Sequence, residues 1–387
     1  MAMWAKEEIE LKDGTKVAAQ MPVIVSASRS TDIPAFYSDW FMERLKAGYV
    51  KWFNPFNGQP LYVGFNKMRC IVFWSKNPAP MIPHLDELDT LCPNYYFQFT
   101  LNDYDAERIE PNVPSVANRV ETFRRLSERI GRDRVIWRFD PLILTDKLAV
   151  KDILEKVERL GDKVAAYTSR IVFSFIDIKS YAKVGKNLER GGIAAREFSP
   201  DEMNVVAQRI GELVKGWGIA AGTCGEIADL DRYGIEHNRC VDDRLMVKCF
   251  SHDAELMKFL GYDPQGELFD LRSTEEKAAA EQSRHAKLKD KGQRLACGCI
   301  MSKDIGEYNT CPHLCHYCYA NTNNAAAMEN WKRHCQHPSE AMIVDDGRET
   351  RDVRRVSCLM SHVTRHKPVS PSINKSLARV ERSFGII

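Results

Sequence analysis

The sequence has no run of about 18 apolar residues, so no membrane-spanning helix is expected. It has almost no excess charge of either sign: 55 Lys and Arg stand against 53 Asp and Glu, a formal net charge of +2. No overall field draws in a polyanion, although a local basic patch can still form. The first residues, Met-Ala-Met-Trp-Ala-Lys-Glu-Glu, lack the basic start and apolar core of a secretory leader. No internal repeat is found. No Gly-x-Gly-x-x-Gly follows the first strand-like run, which weakens a dinucleotide-binding reading. Cysteine is what the chain has in quantity. Its twelve cysteines suggest a reducing compartment in which they stay thiols or bind metal, and the cytoplasm is the expected location. The 387 residues, 44% apolar and 28% charged, are ordinary for a soluble globular protein. They suffice for one large α/β barrel or two modest domains.

Blocks of strand-like and helix-like sequence alternate. Pro22 to Ser28 is an apolar run that turns into small polar residues, as a buried parallel strand does where it opens into a site. Helical spacing follows over 34–48 through Phe36, Trp40, Phe41 and Leu45, closed by Gly48. Further strands are expected at 69–74, 95–100, 134–139, 170–175 and 218–223. Helices are expected near 80–92, over 115–130 with Ser115 as cap, near 150–161, and over 200–216 after Ser199-Pro200. Six strands alternating with five helices predict a parallel sheet covered by helices.

Ser28, Arg29, Lys76, Asn102, Arg138, Asp140, Asp177 and Glu226 gather where these strands end. In a (β/α) barrel that end carries the active site, and a doubly wound sheet also places its ligand there. The barrel is favoured: an α/β fold with a partial (β/α) barrel of about six parallel strands over residues 21–272. Residues 1–20 read as an N-terminal leader with a short strand or hairpin around Gly14. Periodicity weakens after Glu226, and Asp231 to Phe250 reads as loop. Residues 273–294 read as a charged helix or linker. Residues 295–345 form a cysteine-rich segment expected on the barrel mouth, with a helix over Asn323 to His334. Residues 346–387 read as a basic tail with Arg348, Arg351, Arg354, Arg355, Arg365 and Lys367.

Cys311, Cys315 and Cys318 stand in the order C-x3-C-x2-C, with Tyr317 just before the last. Three thiolates in so short a loop can hold three corners of a 4Fe–4S cluster, which is normally held by four. The open iron can then bind a small molecule through amino and carboxylate groups. A structural zinc ion is the alternative, since zinc takes four cysteine or histidine ligands. His313 and His316 lie inside the loop, and Cys297 and Cys299 are close in sequence. Cys224 ends a strand and Cys240 sits in a loop. With Cys297 and Cys299 they make four thiolates that could hold a second iron–sulfur cluster or a zinc ion. The plain alternative is buried thiols that pack as small apolar groups. Cys70 reads as core. Cys335, between His334 and His337, is a weaker metal candidate, and Cys92, Cys249 and Cys358 have no evident partner.

The stretch Cys311-Pro312-His313-Leu314-Cys315-His316-Tyr317-Cys318-Tyr319-Ala320 resembles the cluster loop of the radical S-adenosylmethionine (SAM) enzymes. It is particularly similar to the branch that includes spore photoproduct lyase. From Val23 to about Asn321 the chain also resembles a bacterial family, the domain of unknown function numbered 1848. That likeness rests on Ser26-Ala27-Ser28-Arg29-Ser30-Thr31-Asp32-Ile33-Pro34 and Ser302-Lys303-Asp304-Ile305-Gly306 as well as the cysteines.

The radical SAM resemblance implies a partial or full (β/α) barrel with a 4Fe–4S cluster on Cys311, Cys315 and Cys318. It implies SAM bound at the open iron and cleaved to a 5′-deoxyadenosyl radical that abstracts hydrogen from a substrate. It also implies an electron donor such as flavodoxin or ferredoxin. Arg29, Lys76 and Arg138 suit the SAM carboxylate, Asp140, Asp177 and Glu226 its amino group or ribose, and Tyr319 its adenine. Each charged group could instead be half of an ion pair in the barrel interior. The Gly-Gly-Glu stretch that the superfamily often uses is absent: Gly191-Gly192-Ile193 is not that motif, and Gly225-Glu226 is a fragment of it. In that superfamily the cysteine loop usually follows the first strand, whereas here it follows all six. Either Cys299 to Ser302 is a strand that feeds the loop of a circularly permuted barrel, or a C-terminal segment folds back over the mouth.

Three functions follow. The first is a radical SAM enzyme acting on a nucleic-acid base or a small metabolite or peptide. A base would have to leave its stack, and Trp52, Phe53, Phe56 and the basic tail could help. The second is a non-catalytic zinc- or iron–sulfur-binding protein that serves as a nucleic-acid or partner-binding module. The third, weaker, is a hydrolase in which Asp32 and Asp140 hold a divalent metal.

Overall fold

The computed structural model describes residues 4–55, 57–263 and 273–344. Phe56, Cys358 and the basic tail from 346 lie outside them. The chain opens with the expected hairpin, β1 (Ala5–Glu10) against β2 (Lys16–Met21), turned at Gly14, whose φ is +82°. A side chain there would be strained, so glycine suits the turn. After β3 (Ile24–Ala27) come two short helices, α1 (Ile33–Phe36) and α2 (Ser38–Ala47), in place of the single helix expected over 34–48. Then β4 (Tyr49–Phe53) and β5 (Pro60–Gly64) pair antiparallel. Because β5 also lies beside β2, a four-stranded sheet of order β1-β2-β5-β4 forms. The leader is therefore one half of a small sheet.

The rest of the alternation is built largely as the sequence predicts. It runs through β6 (Cys70–Ser75), α3 (Leu85–Leu91), β7 (Tyr95–Thr100), α4 (Val116–Ile130), β8 (Val135–Leu142) and α5 (Val150–Val164). The short β9 (Leu144–Thr145) lies between β8 and α5. The chain continues with β10 (Arg170–Phe175), α6 (Ala182–Arg190), β11 (Ala195–Arg196), α7 (Pro200–Trp217) and β12 (Ala220–Thr223). The Ser115 hydroxyl caps α4 by accepting from the Asn118 N–H. Ser199 and Glu202 form a reciprocal capping box at α7.

Residues 231–250 are not loop. They hold β13 (Ile235–His237) and α8 (Asp243–Phe250), followed by α9 (Ala254–Leu260). Asp242 caps α8 by accepting from the N–H groups of Arg244 and Leu245. The charged stretch is a helix, α10 (Thr274–Leu288). Beyond it come β14 (Lys303–Asp304) and α11 (Asn324–Gln336).

The main sheet has eight strands in the order β13-β12-β10-β8-β7-β6-β3-β14, every neighbouring pair parallel. Eight replace the six expected because β13 and β14 extend the two edges. No pairing closes the sheet into a barrel among the described residues. From β3 to β13 each new strand joins the same side of the last. Such consecutive right-handed crossovers put their helices on one face. Successive side chains of a strand point to opposite faces. Accordingly Ile71, Phe73, Phe97, Trp137 and Phe173 belong to one core, shared with α2, α4, α5 and α7. Fully burying such a side chain is worth about 1.5–3 kcal/mol. The alternate residues Ile24, Cys70, Val72, Tyr96, Ile136 and Val172 face a second core with Met246 and Phe250 of α8 and Leu256 and Met257 of α9. Cys70 is thus packing, as read. Further along the same inner rows, towards the strand C-termini, stand Ser26, Trp74, Gln98, Arg138, Asp140 and Ser174. The inner face turns polar at that end.

Strand β14 resolves how the cysteine loop joins the sheet. It lies parallel to β3, with Lys303 opposite Val25 and Asp304 opposite Ser26. A strand does feed the loop, and it starts at Lys303 instead of Cys299. The Asp304 carboxylate secures it by accepting from the N–H of Arg29 at 2.8 Å and of Gly306 at 2.9 Å. A Cβ on Gly306 would sit 1.8 Å from the Ser28 Oγ, so only glycine lets the two segments approach. Among the described residues, no helix is long and apolar enough to cross a membrane.

Candidate functional site: a cysteine loop over the strand ends

The loop after β14 is pinned by its backbone. Asn321 donates from Nδ2 to the Cys311 carbonyl at 2.9 Å, and Asn187 of α6 donates to the Cys318 carbonyl at 2.8 Å. Asn112 donates to the Pro312 carbonyl at 2.9 Å, and the His316 N–H donates to the Ile109 carbonyl at 3.0 Å. Leu314 takes a left-handed conformation, φ +57°, which turns the chain between Cys311 and Cys315. His313 is buried and puts Nε2 2.8 Å from Asp32 Oδ2, with its ring edge-on to Phe36. His313 therefore serves as a strut between the loop and the start of α1. His316 lies against Gly191, where a Cβ would come within 2.6 Å of its ring. His313 is thus engaged with Asp32, and His316 packs on Gly191.

The three thiols share one electrostatic neighbourhood, and burial pushes all three pKa values up. At Cys311 the nearby Asp32 carboxylate adds to the shift. At Cys315, which is 8% exposed, the Lys76 ammonium opposes it. Burial disfavours a lone thiolate, so ligation by these sulfurs needs a cation to replace the proton. The Asn321 N–H already points at Cys318 Sγ from 3.3 Å, the kind of outer contact that orients a metal-binding sulfur. Asn321 Oδ1 is buried without a hydrogen-bond partner beside the same loop.

Tyr317 ties the loop to the sheet. Its hydroxyl meets Lys76 Nζ at 2.6 Å, Asn102 Nδ2 at 3.0 Å and the Glu110 carboxylate. Lys76 follows β6 and Asn102 follows β7, so the loop sits on the C-terminal ends of the strands. Lys76 also pairs with Glu110 at 2.8 Å, and Arg119 stands 3.6 Å from the other oxygen of that carboxylate. Burial favours the neutral form of Glu110, but Lys76 and Arg119 outweigh it and hold the pKa at about 2. Asn102 passes the network on by accepting from the Asp140 N–H at 2.9 Å. Asp140 in turn accepts from Ser174 and Arg138.

The residues matched to SAM by resemblance fall into distinct settings. Lys76 and Arg138 are both halves of ion pairs, the plain alternative stated for them. Arg29 and Arg138 lie over the Trp74 ring at 5.3 and 5.1 Å, a cation–π arrangement on the inner face. Asp177 accepts from the Ser180 N–H at 3.0 Å in its own turn. Tyr319 donates to the Arg29 carbonyl at 2.6 Å. Glu226 accepts from the Phe175 N–H at 2.9 Å. Burial pushes its pKa up to about 7, Asp140 and Asp177 add to that, and Arg294 opposes it. Trp52 donates to the Gly306 carbonyl at 2.9 Å and carries Lys303 on its ring, so it braces the start of the loop. Sequence reasoning missed Glu110, Asn187 and Asn321, whereas Asn102 stands at a strand end as expected. Glu110 sits in irregular sequence that gives no periodic signal, but Asn321 follows the last cysteine closely enough to have been weighed.

Of the second set, Cys224 and Cys240 have sulfurs 3.6 Å apart, and Cys299 and Cys297 lie within electrostatic reach of them. Arg138 donates from Nη1 to Cys240 Sγ at 2.8 Å, and the Val241 N–H donates to Cys299 Sγ at 3.4 Å. The Cys224 contact lowers the Cys240 pKa, but the Cys299 contact and burial outweigh it and place it at about 11. Cys297, half-buried, is held below its usual value by the hydrogen bond with Cys299. As they stand, no three His, Cys, Asp or Glu side chains among the described residues converge as ligands of one metal ion. His334 belongs to the core: its Nδ1 lies 2.9 Å from the Ile343 carbonyl, and burial lowers its pKa to about 4.

Fold and site together define an α/β protein in which a cysteine loop, fed by an edge strand, covers the C-terminal ends of a parallel sheet. Residues 24–320 match the family described as Domain of unknown function (DUF1848), and the chain belongs to that family. No curated protein matches the chain. Among solved structures, a protein described as a putative alpha-L-fucosidase from Bacteroides thetaiotaomicron VPI-5482 aligns with 13% identity and a TM-score of 0.28. The alignment covers 51% of this chain and 58% of that one, and so weak a likeness carries no argument.

Proposed function

We propose that the chain is a radical SAM enzyme. In this reading Cys311, Cys315 and Cys318 hold a 4Fe–4S cluster whose open iron takes SAM, and hydrogen is abstracted from a small metabolite or a nucleic-acid base. The observation that supports it most is the course of the chain from β14. An edge strand of a parallel sheet runs directly into a C-x3-C-x2-C loop that lies on the strand C-termini. The donor set suits such a group. Cluster thiolates bind separate irons, so they need not converge on one point as ligands of a single ion do. Cys315 is buried, Cys311 and Cys318 are half-buried, and the Asn321 N–H is aimed at Cys318 Sγ. When bound, the cluster would supply the electron for reductive cleavage of SAM, with flavodoxin or ferredoxin as donor.

The protein's own residues would then bind, orient and exclude water. Lys76, Glu110 and Tyr317 fix the loop on the sheet. Glu226, beside Arg294, is a half-buried carboxyl suited to the amino group or ribose. Arg29, on Trp74, is suited to the carboxylate. The test is anaerobic reconstitution with iron and sulfide, then dithionite and SAM. About four irons per chain and 5′-deoxyadenosine are expected, both lost in Cys315→Ala. Iron binding that ignores Cys315→Ala would refute the assignment. A colourless protein that takes up only zinc would favour the non-catalytic binding module.

A further inference from the structure

We infer a second metal site, separate from the loop, in which Cys224, Cys240, Cys297 and Cys299 hold one thiophilic divalent ion of the zinc class. The four come from three separate stretches of chain, and folding sets the Cys224 and Cys240 sulfurs in contact, with Cys299 Sγ beside them on the Val241 N–H at 3.4 Å. A zinc–sulfur bond of about 2.3 Å makes the edge of a tetrahedron of thiolates about 3.8 Å. The Cys224–Cys240 separation of 3.6 Å is close to that edge. Thiolates on an iron–sulfur cube bind different irons and stand further apart. A metal would replace the thiol protons and draw the four sulfurs into a tetrahedron around one centre.

Two further observations point to charge at this spot. Arg138 is 3% exposed, rises from the middle of the sheet and donates to Cys240 Sγ at 2.8 Å. A guanidinium so placed matches a sulfur that carries negative charge, as a metal-bound thiolate does. Asn238 also donates to that sulfur from 3.3 Å, and Val241 donates its N–H to Cys299. These are outer contacts of the kind that fix ligand orientation.

The location gives the ion a task. Cys240 follows β13 and Cys297 and Cys299 precede β14, and these are the two edge strands of the sheet. Backbone bonding already brings the two segments together, with the Ile300 N–H donating to the Val241 carbonyl at 3.1 Å. The ion would clamp the edges where no ladder joins them, and Cys224 would tie in the end of β12.

Metal analysis of the full chain tests this. About one zinc per chain is expected in the natural protein and in a Cys311→Ala/Cys315→Ala/Cys318→Ala variant, and none in Cys297→Ser/Cys299→Ser. Cobalt added to the loop variant should give the thiolate charge-transfer and intense visible bands of a tetrahedral sulfur site. If the Cys297→Ser/Cys299→Ser variant does not fold, alkylation of the loop variant decides: zinc should protect Cys224, Cys240, Cys297 and Cys299 together. Equal alkylation with and without zinc would overturn the site. So would iron and sulfide that persist in the loop variant and depart with Cys297 and Cys299. Because the loop thiols are absent from that variant, failure of this site and failure of the radical SAM reading give different results.

Discussion

Replacing Glu110 with glutamine keeps its shape and removes its charge. In the native chain this carboxylate is buried against Lys76 at 2.8 Å and Arg119 at 3.6 Å, with Tyr317 and Asn102 completing its contacts. Its pKa falls from 4.5 to about 2 on folding. At about 1.4 kcal/mol per pH unit, that shift corresponds to about 3 kcal/mol of stability. Removing one partner of a buried ion pair costs about 3–5 kcal/mol by mutation, so both routes agree on size. The folded pKa lies below the unfolded one. The stabilisation is therefore complete above about pH 4.5 and is lost as pH falls through about 2. Urea unfolding of both proteins in the same metal state, followed by tryptophan fluorescence, should show the full difference at pH 7. At pH 3 it should be less than half as large. A difference below about 1 kcal/mol at pH 7, or one that does not change with pH, would refute the ion-pair account of how the loop is held.

Glu226 carries the opposite sign. Its folded pKa of about 7 lies above the unfolded 4.5, so the native state loses stability as pH rises from 4.5 to 7 and levels off above. Glu226→Gln should gain on the natural protein across that window in denaturant midpoint, and a gain of equal size at pH 4 and pH 8 would contradict it. Gly306→Ala places a methyl 1.8 Å from the Ser28 hydroxyl and should cost about 1–3 kcal/mol. Because the shift separates β14 from β3, the same variant should expose amides near Ser26 and Ile305 to faster hydrogen exchange, and unchanged exchange there would count against it.

Strands β6, β7 and β10 and helices α4 and α7 could be read from the sequence because each has its own local mark: an apolar run of strand length, a serine cap, or a Ser-Pro start. The pieces that were missed lack such marks or depend on partners. β13 has three residues and β14 two, too short for any period, and both exist because an edge was open beside them. β4 and β5 are set by pairing with each other and with β2. α8 does carry a local mark, because Asp242 stands before it as a cap. At the site, the loop cysteines announce themselves by spacing. Asn102 is marked only by its place at a strand end, and Glu110 and Asn187 have no mark, because what matters is where folding carries them. Of the four remaining thiols, only Cys297 and Cys299 are close in sequence. Their contacts come from tertiary packing.

The pairing of β14 with β3 also bears on when the site can exist. The Asp304 carboxylate that secures it reaches back to Arg29 across 275 residues of chain. Contacts so distant in sequence are slow to form, because a long loop must close before any bond rewards it. During synthesis the early strands can pair in order as they emerge, while the flank of β3 waits as an uncovered edge until nearly the whole sheet has been made. Only then does the cysteine loop arrive. In a nascent chain the loop would thus be the last part of the site to arrive, meeting a sheet already assembled beneath it.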